Sequence, residues 1–216
     1  PTPTALEHQH KGYGIKIETQ SDLTIDSAHL AYDIHFSGLT VSRTGHYGIW
    51  IKSLGLSQND LLKNQTITME SCVFDNTGGA GFVPNKSEFV LVENCTFNHS
   101  GSSVDPRMWK RGSGMWPFDC RNVVAQHNHF LNAHGPIDSY GAHIDYGNEN
   151  VAFQYNLSYN NEGGFVEILG DNINCGYRYN ISINDGYRID PDGVHNGRTY
   201  NVSDYCGANN GGCPSM

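Results

Sequence analysis

The stretch Gly141-Ala142-His143-Ile144-Asp145-Tyr146 is echoed 22 residues later by Gly163-Gly164-Phe165-Val166-Glu167-Ile168. At that step His143 aligns with Phe165, Ile144 with Val166, Asp145 with Glu167 and Tyr146 with Ile168. Alternate side chains of a strand share a face. With Ile144, Tyr146, Val166 and Ile168 turned inward, His143, Asp145, Phe165 and Glu167 face outward together. If the two segments are neighbouring strands, Asp145 and Glu167 lie side by side, roughly 4.8 Å apart. Like charges that close repel, so a fold that keeps them needs a reason, and function is one.

Outward from this pair the same phrasing recurs. Short apolar runs start at Leu39, Cys72, Cys95, Asn128, Asn156 and Asn180, at steps of 33, 23, 33, 28 and 24 residues. Each is closed by a glycine, and a second short run follows, as in Gly48-Ile49-Trp50-Ile51, Gly81-Phe82-Val83-Pro84 and Gly114-Met115-Trp116-Pro117. No stretch carries a clear 3.6-residue apolar period. A unit this short cannot bury its own apolar face and must stack on copies of itself. The expectation is an all-β coil of parallel strands with about six rungs, one domain over residues 1–216. Residues 199–216 form an irregular Cys- and Gly-rich tail in this reading. The opening Pro-Thr-Pro-Thr suits a processed or truncated piece of a longer chain.

The Asn128, Asn156 and Asn180 column, the Phe74, Phe97 and Phe130 column and the repeated glycine stops resemble the right-handed parallel β-helix of the pectate-lyase-like superfamily, over roughly residues 12 to 190. That resemblance implies a right-handed solenoid. It leaves function open, because the superfamily holds lyases, glycoside hydrolases, epimerases, esterases and phage tailspikes.

The residues give the column a physical role. A buried Asn at a turn bonds the Asn above and below it and the turn's backbone. Asn156 and Asn180 stand in acceptor patterns for glycosylation, but an interior Asn cannot carry a glycan. Asn64 and Asn201 are the better surface candidates. Cys72 and Cys95 share the column and read as buried thiols. A disulfide between Cys206 and Cys213 fits an oxidising compartment.

Net charge is −9, from 13 basic and 22 acidic residues. That balance argues against nucleic acid or an anionic membrane as partner. No apolar run approaches the ~18 residues of a membrane span. Oligomeric state is open.

Asp145 and Glu167 are the leading catalytic candidates. Proximity raises one carboxyl's proton affinity and leaves the other ionised, as an acid/base or nucleophile set requires. His143 shares their face and can orient them. Arg107, Trp109, Lys110 and Arg111 lie in an insertion beside this face and suit a saccharide, Trp by its flat apolar ring and Arg by pairing with carboxylates. Tyr140, Glu162, Phe165 and Arg188 are further substrate-contact candidates, and Asp138 sits in a turn just before the first acidic strand. No metal ligand set is assigned and no cofactor is required, although an acidic pair leaves Ca²⁺ open. The preferred reading is a secreted polysaccharide-degrading enzyme, extracellular or periplasmic, most simply a glycoside hydrolase. A polysaccharide lyase acting on a uronate polymer through a His, Arg, Lys or Tyr base is the second reading, and a non-catalytic carbohydrate-binding or adhesin β-helix the third.

Overall fold

The computed structural model describes residues 12–18, 30–53, 63–101, 112–135, 137–193 and 195–202. Their strands form three walls, and within each wall every pairing is parallel. The broad wall stacks β2 (Tyr32–Ser37), β5 (Asn64–Glu70), β8 (Ser87–Glu93), β10 (Arg121–Gln126), β12 (Glu149–Gln154) and β15 (Gly176–Arg178). The narrow wall stacks β3 (Thr40–Ser42), β6 (Val73–Asp75), β9 (Thr96–Asn98), β11 (His129–Leu131), β13 (Leu157–Tyr159) and β16 (Ile181–Ile183). The third wall starts with β1 (Ile15–Glu18), β4 (Ile49–Lys52) and β7 (Phe82–Asn85) and ends with β14 (Val166–Ile168) and β17 (Tyr200–Val202). Residues 115–118 and 142–145 span the gap through isolated bridges, Phe82 to Met115, Met115 to Ala142 and Ile144 to Ile168. Pro84 and Pro117 fall in this wall, and neither has an N–H to give the ladder. Among the described residues six rungs stand in each of the two longer walls, as the repeat count anticipates.

Alternation places one side of each strand inside. The core holds Ile49, Ile67, Met69, Phe74, Phe97, Val123, Phe130, Ile144 and Phe153, all fully buried. Phe74, Phe97 and Phe130 stack face to face at 4.9 and 5.0 Å. Opposite them runs the glycine column. A Cβ on Gly48, Gly81 or Gly114 would lie under 3 Å from one of these rings, so the repeated glycines make room for the phenylalanines.

Corners are closed by polar columns. In the first, Cys72, Cys95, Asn128 and Asn156 are buried. Asn128 Oδ1 accepts the Cys95 N–H, Asn156 Oδ1 the Asn128 N–H, and Asn180 Oδ1 the Asn156 N–H. The two ends of the expected column differ: Leu39 is exposed and Asn180 half-buried, since they belong to the first and last rungs. Two further Asn corners went unread in the sequence. In one, Asn148 and Asn172 serve Cys120 and Asn148 N–H groups. In the other, Asn161 and Asp185 serve Ala133 and Asn161. The first of these corrects the expectation for Asn64. It pairs with Ser87 in that column, is buried, and accepts the Ala31 N–H, so it is no surface glycan acceptor. Cys72, Cys95, Cys120 and Cys175 are buried free thiols, and burial pushes Cys95 and Cys120 up to about 12. Cys206 and Cys213, the expected disulfide pair, lie outside the described residues. The segment read as an irregular tail opens with a strand, β17, docked on β14.

Candidate active site

The third wall's outward face carries the site. Its register corrects the sequence alignment. Ile144 bridges Ile168 and Tyr140 bridges Gly164, a step of 24 rather than 22. Glu167 therefore sits beside His143, and Asp145 lies one step diagonally away. The slip is even, so both carboxylates keep the outward face, where an odd slip would have turned them into the core. Its cause is a substitution in the glycine column. Gly141 has Phe165 as its neighbour in the next rung, while Gly163 and Gly164 lie just upstream and mimic the missing stop. Phe165 is correspondingly not outward but fully buried, packed on Phe130 and Tyr177 at 6.0 and 5.3 Å. On the opposite wall Ser158 replaces the next phenylalanine of the stack. One ring has moved from the narrow wall to the third wall and fills the same interior space.

His143 is the centre of the arrangement. It is 3% exposed, with Nε2 3.8 Å from Asp145 Oδ2 and Nδ1 3.8 Å from Glu167 Oε2. Those lengths are ion-pair contacts rather than hydrogen bonds; the close partner of Nδ1 is Ser113 Oγ at 3.0 Å. Burial works against charge on the ring. Asp145, then Glu167, outweigh it, with Asp138 adding to them, and hold the imidazole's pKa up at about 9. His143 is thus a cation at neutral pH, between carboxylates on its two nitrogens. With about 2 Å between the ring nitrogens, the two contacts keep the carboxyl groups within about 10 Å of each other, a span that covers both glycosidase geometries.

Glu167 is 7% exposed and burial raises its proton affinity, although His143 opposes the shift. The Asn201 amide donates to its Oε1 at 2.8 Å, and Tyr140 hydrogen-bonds to it. Tyr140 is itself buried, and that burial together with the Glu167 charge drives its phenol well above the ordinary range. Asp145 is half-buried, its Oδ1 accepting the Tyr146 N–H. Asp138 is also half-buried and near enough to act on both His143 and Glu167. Trp116 stacks on the His143 ring, 5.7 Å between centroids and 6° between planes. Beneath, the Tyr177 hydroxyl ties the Ala142 and Glu167 carbonyls.

Other expected contacts fall elsewhere. Glu162 is committed to His134 Nδ1 at 3.1 Å and to the Gly135 N–H, partners that hold its carboxyl below the usual range against burial. Arg188 donates to the Gly135, Asp138 and His195 carbonyls and pairs with neither Asp145 nor Glu167. Arg107, Trp109, Lys110 and Arg111 lie outside the described residues. Asn201, the remaining glycan candidate, is half-buried with its amide spent on Glu167. Ser113, Trp116 and Asn201 were missed. Trp116 had a signal, since it repeats Trp50 at the same place after the glycine. No three His, Cys, Asp or Glu among the described residues converge as a metal site.

A family model described as a right handed beta helix region matches residues 27–109. The native crystal structure of GH136 lacto-N-biosidase from Eubacterium ramulus superposes with a TM-score of 0.51 at 17% identity, over 78% of this chain. The fold is a right-handed parallel β-helix. In sequence, lacto-N-biosidase of Bifidobacterium longum subsp. longum is 38% identical over 80 residues, 34% of this β-helix chain. The chain spans 5% of that relative's length and 36% of the solved one.

Proposed function

We propose that this β-helix is the catalytic part of a glycoside hydrolase acting on oligosaccharide or polysaccharide outside the cell membrane. The observation that carries the reading is the His143 ring held between Asp145 and Glu167 on an outward face, with Trp116 stacked against it. Burying three charges costs stability unless they are paired, and such groups concentrate at working sites. Glycoside hydrolysis needs one carboxyl that holds a proton for the leaving oxygen and another that attacks or activates water. Glu167, with its raised proton affinity, suits the first role, and half-buried Asp145 the second. His143 positions both, and Asp138 adds the third carboxylate.

The same facts weigh against a lyase. A cationic His143 cannot remove a proton at neutral pH, Tyr140 is driven away from the phenolate, and Arg188 is spent on carbonyls. The named substrate of the two relatives makes lacto-N-biose units the first sugars to try. The test is product chemistry on a panel of neutral and uronate oligosaccharides that includes lacto-N-biose glycosides. New reducing ends without ultraviolet-absorbing double bonds are expected. Unsaturated products would establish a lyase, and no product from any member would leave a binding module.

A further inference from the structure

The site does not end at Trp116. The column of His143 continues through Trp116, Val83 and Trp50, one residue per rung, by the registers of Met115 with Ala142, Phe82 with Met115 and Trp50 with Val83. Val83 is small, and Tyr47 leans into the space above it, edge-on to Trp50 at 5.8 Å and to Trp116 at 5.7 Å. Tyr13 stacks on Trp50 at 5.2 Å. The result is an unbroken aromatic strip of half-buried rings, Tyr13, Trp50, Tyr47 and Trp116, ending on the carboxylates. From Trp50 to His143 it covers three rungs, roughly 14 Å. A single sugar ring at the carboxylates would leave most of it uncovered.

Two details at Trp50 point to a ligand. Its indole N–H is screened from solvent and has no acceptor among the described residues, which is unusual for a buried donor. Lys16 and Lys52 lie over the ring, 5.2 and 5.0 Å from its centroid. Flexible lysine stems are covers that a ligand can displace, and a sugar hydroxyl can then accept the indole proton.

Resting on the hydrolase reading, we propose that this strip is an extended sugar-binding track, and that the substrate is an oligosaccharide of at least three residues lying along the helix axis. Its reacting end sits at Asp145 and Glu167, and its far end points toward the N-terminal coils, over Tyr47 and Trp50. Flat rings hold the apolar faces of neutral sugars, and among the described residues the track itself offers no carboxylate partner except the two lysines at its far end.

Titration calorimetry with a size-graded set of oligosaccharides built on lacto-N-biose tests this. Wild type should gain affinity from disaccharide to tetrasaccharide. Trp50→Leu, which keeps apolar bulk for folding but lacks the flat ring and the N–H, should lose that gain, on the order of tenfold, and still bind the disaccharide like wild type. Trp116→Leu should weaken every length. Equal binding of all lengths by Trp50→Leu and wild type, or no binding of the set by wild type, would overturn the track. Reducing-end release measured on the same samples separates the two ideas: length-dependent binding without hydrolysis sinks the enzyme and leaves the track.

Discussion

At the residue scale, His143 makes a pH prediction. Its folded pKa, about 9, stands above the ordinary 6.5. A raised cationic pKa means that the charged ring's contacts stabilise the fold fully below about 6.5, and that this contribution is lost as pH rises through about 9. Burial also raises Glu167, so its ionisation works in the same direction at lower pH. Melting temperature should fall between pH 6.5 and 9, and His143→Gln should flatten that slope. Parallel curves for the two proteins would mean a neutral ring. His143, Asp145 and Glu167 were legible as one outward group by alternation, which failed at Phe165, where the strand follows the glycine corner and the ring turns into the core. Which of them touch was not legible, since that depends on a register the glycine pattern misreported.

At the element scale, the corners and the exchanged ring carry the stability argument. Asn156 accepts the Asn128 N–H and donates to the Ala125 carbonyl. Asn156→Ala should cost roughly 1–3 kcal/mol by orphaning both, read from chemical denaturation; a neutral result would remove the ladder's structural role. Phe165→Ala should cost about 3–5 kcal/mol, the usual penalty for emptying a buried aromatic site. If the ring has truly moved between walls, Ser158→Phe combined with Phe165→Gly should recover part of that loss, and a double variant no better than Phe165→Ala would refute the exchange. The Asn column at 128, 156 and 180 was visible because it starts each repeat. The columns at Asn148 and Asn161 were not, because their upper rungs hold Cys120 and Ser87, or Ala133, Ser100 and Thr77, which give no repeated letter. Left-handed residues at the first turn, Ser71, Asn94, His127, Tyr155 and Tyr179, share backbone geometry without a common residue type, although the last three stack ring on ring at 5.5 and 5.1 Å.

At the scale of the molecule, the coil explains why the site can exist. Stacked rungs bring residues from 116, 143, 167 and 201 into one row, though no two are near in sequence. β17 matters here more than its three residues suggest, because it supplies Asn201 to Glu167. Asn201→Ala should leave the fold standing and raise Glu167's proton affinity further, which would move the basic limb of any activity profile to higher pH, since Glu167 must hold its proton to act as the acid. Parallel stacking was readable from repeat length and the absence of helical periodicity. The strand at Tyr200–Val202 was not, since its only partner among the described residues lies 34 residues back and its neighbours in sequence look like a tail.

Glycoside hydrolysis at this face requires the carboxylates around His143 to do chemistry. The direct measurement is the release of reducing ends from lacto-N-biose glycosides by wild type, Asp145→Asn, Glu167→Gln and Asp138→Asn, each first shown by circular dichroism to be folded. Wild type should turn over, and Asp145→Asn and Glu167→Gln should each fall on the order of 10² or more. Wild-type rates in both would show that the cluster is structural; an isolated collapse in Asp138→Asn would move the reaction to that carboxylate.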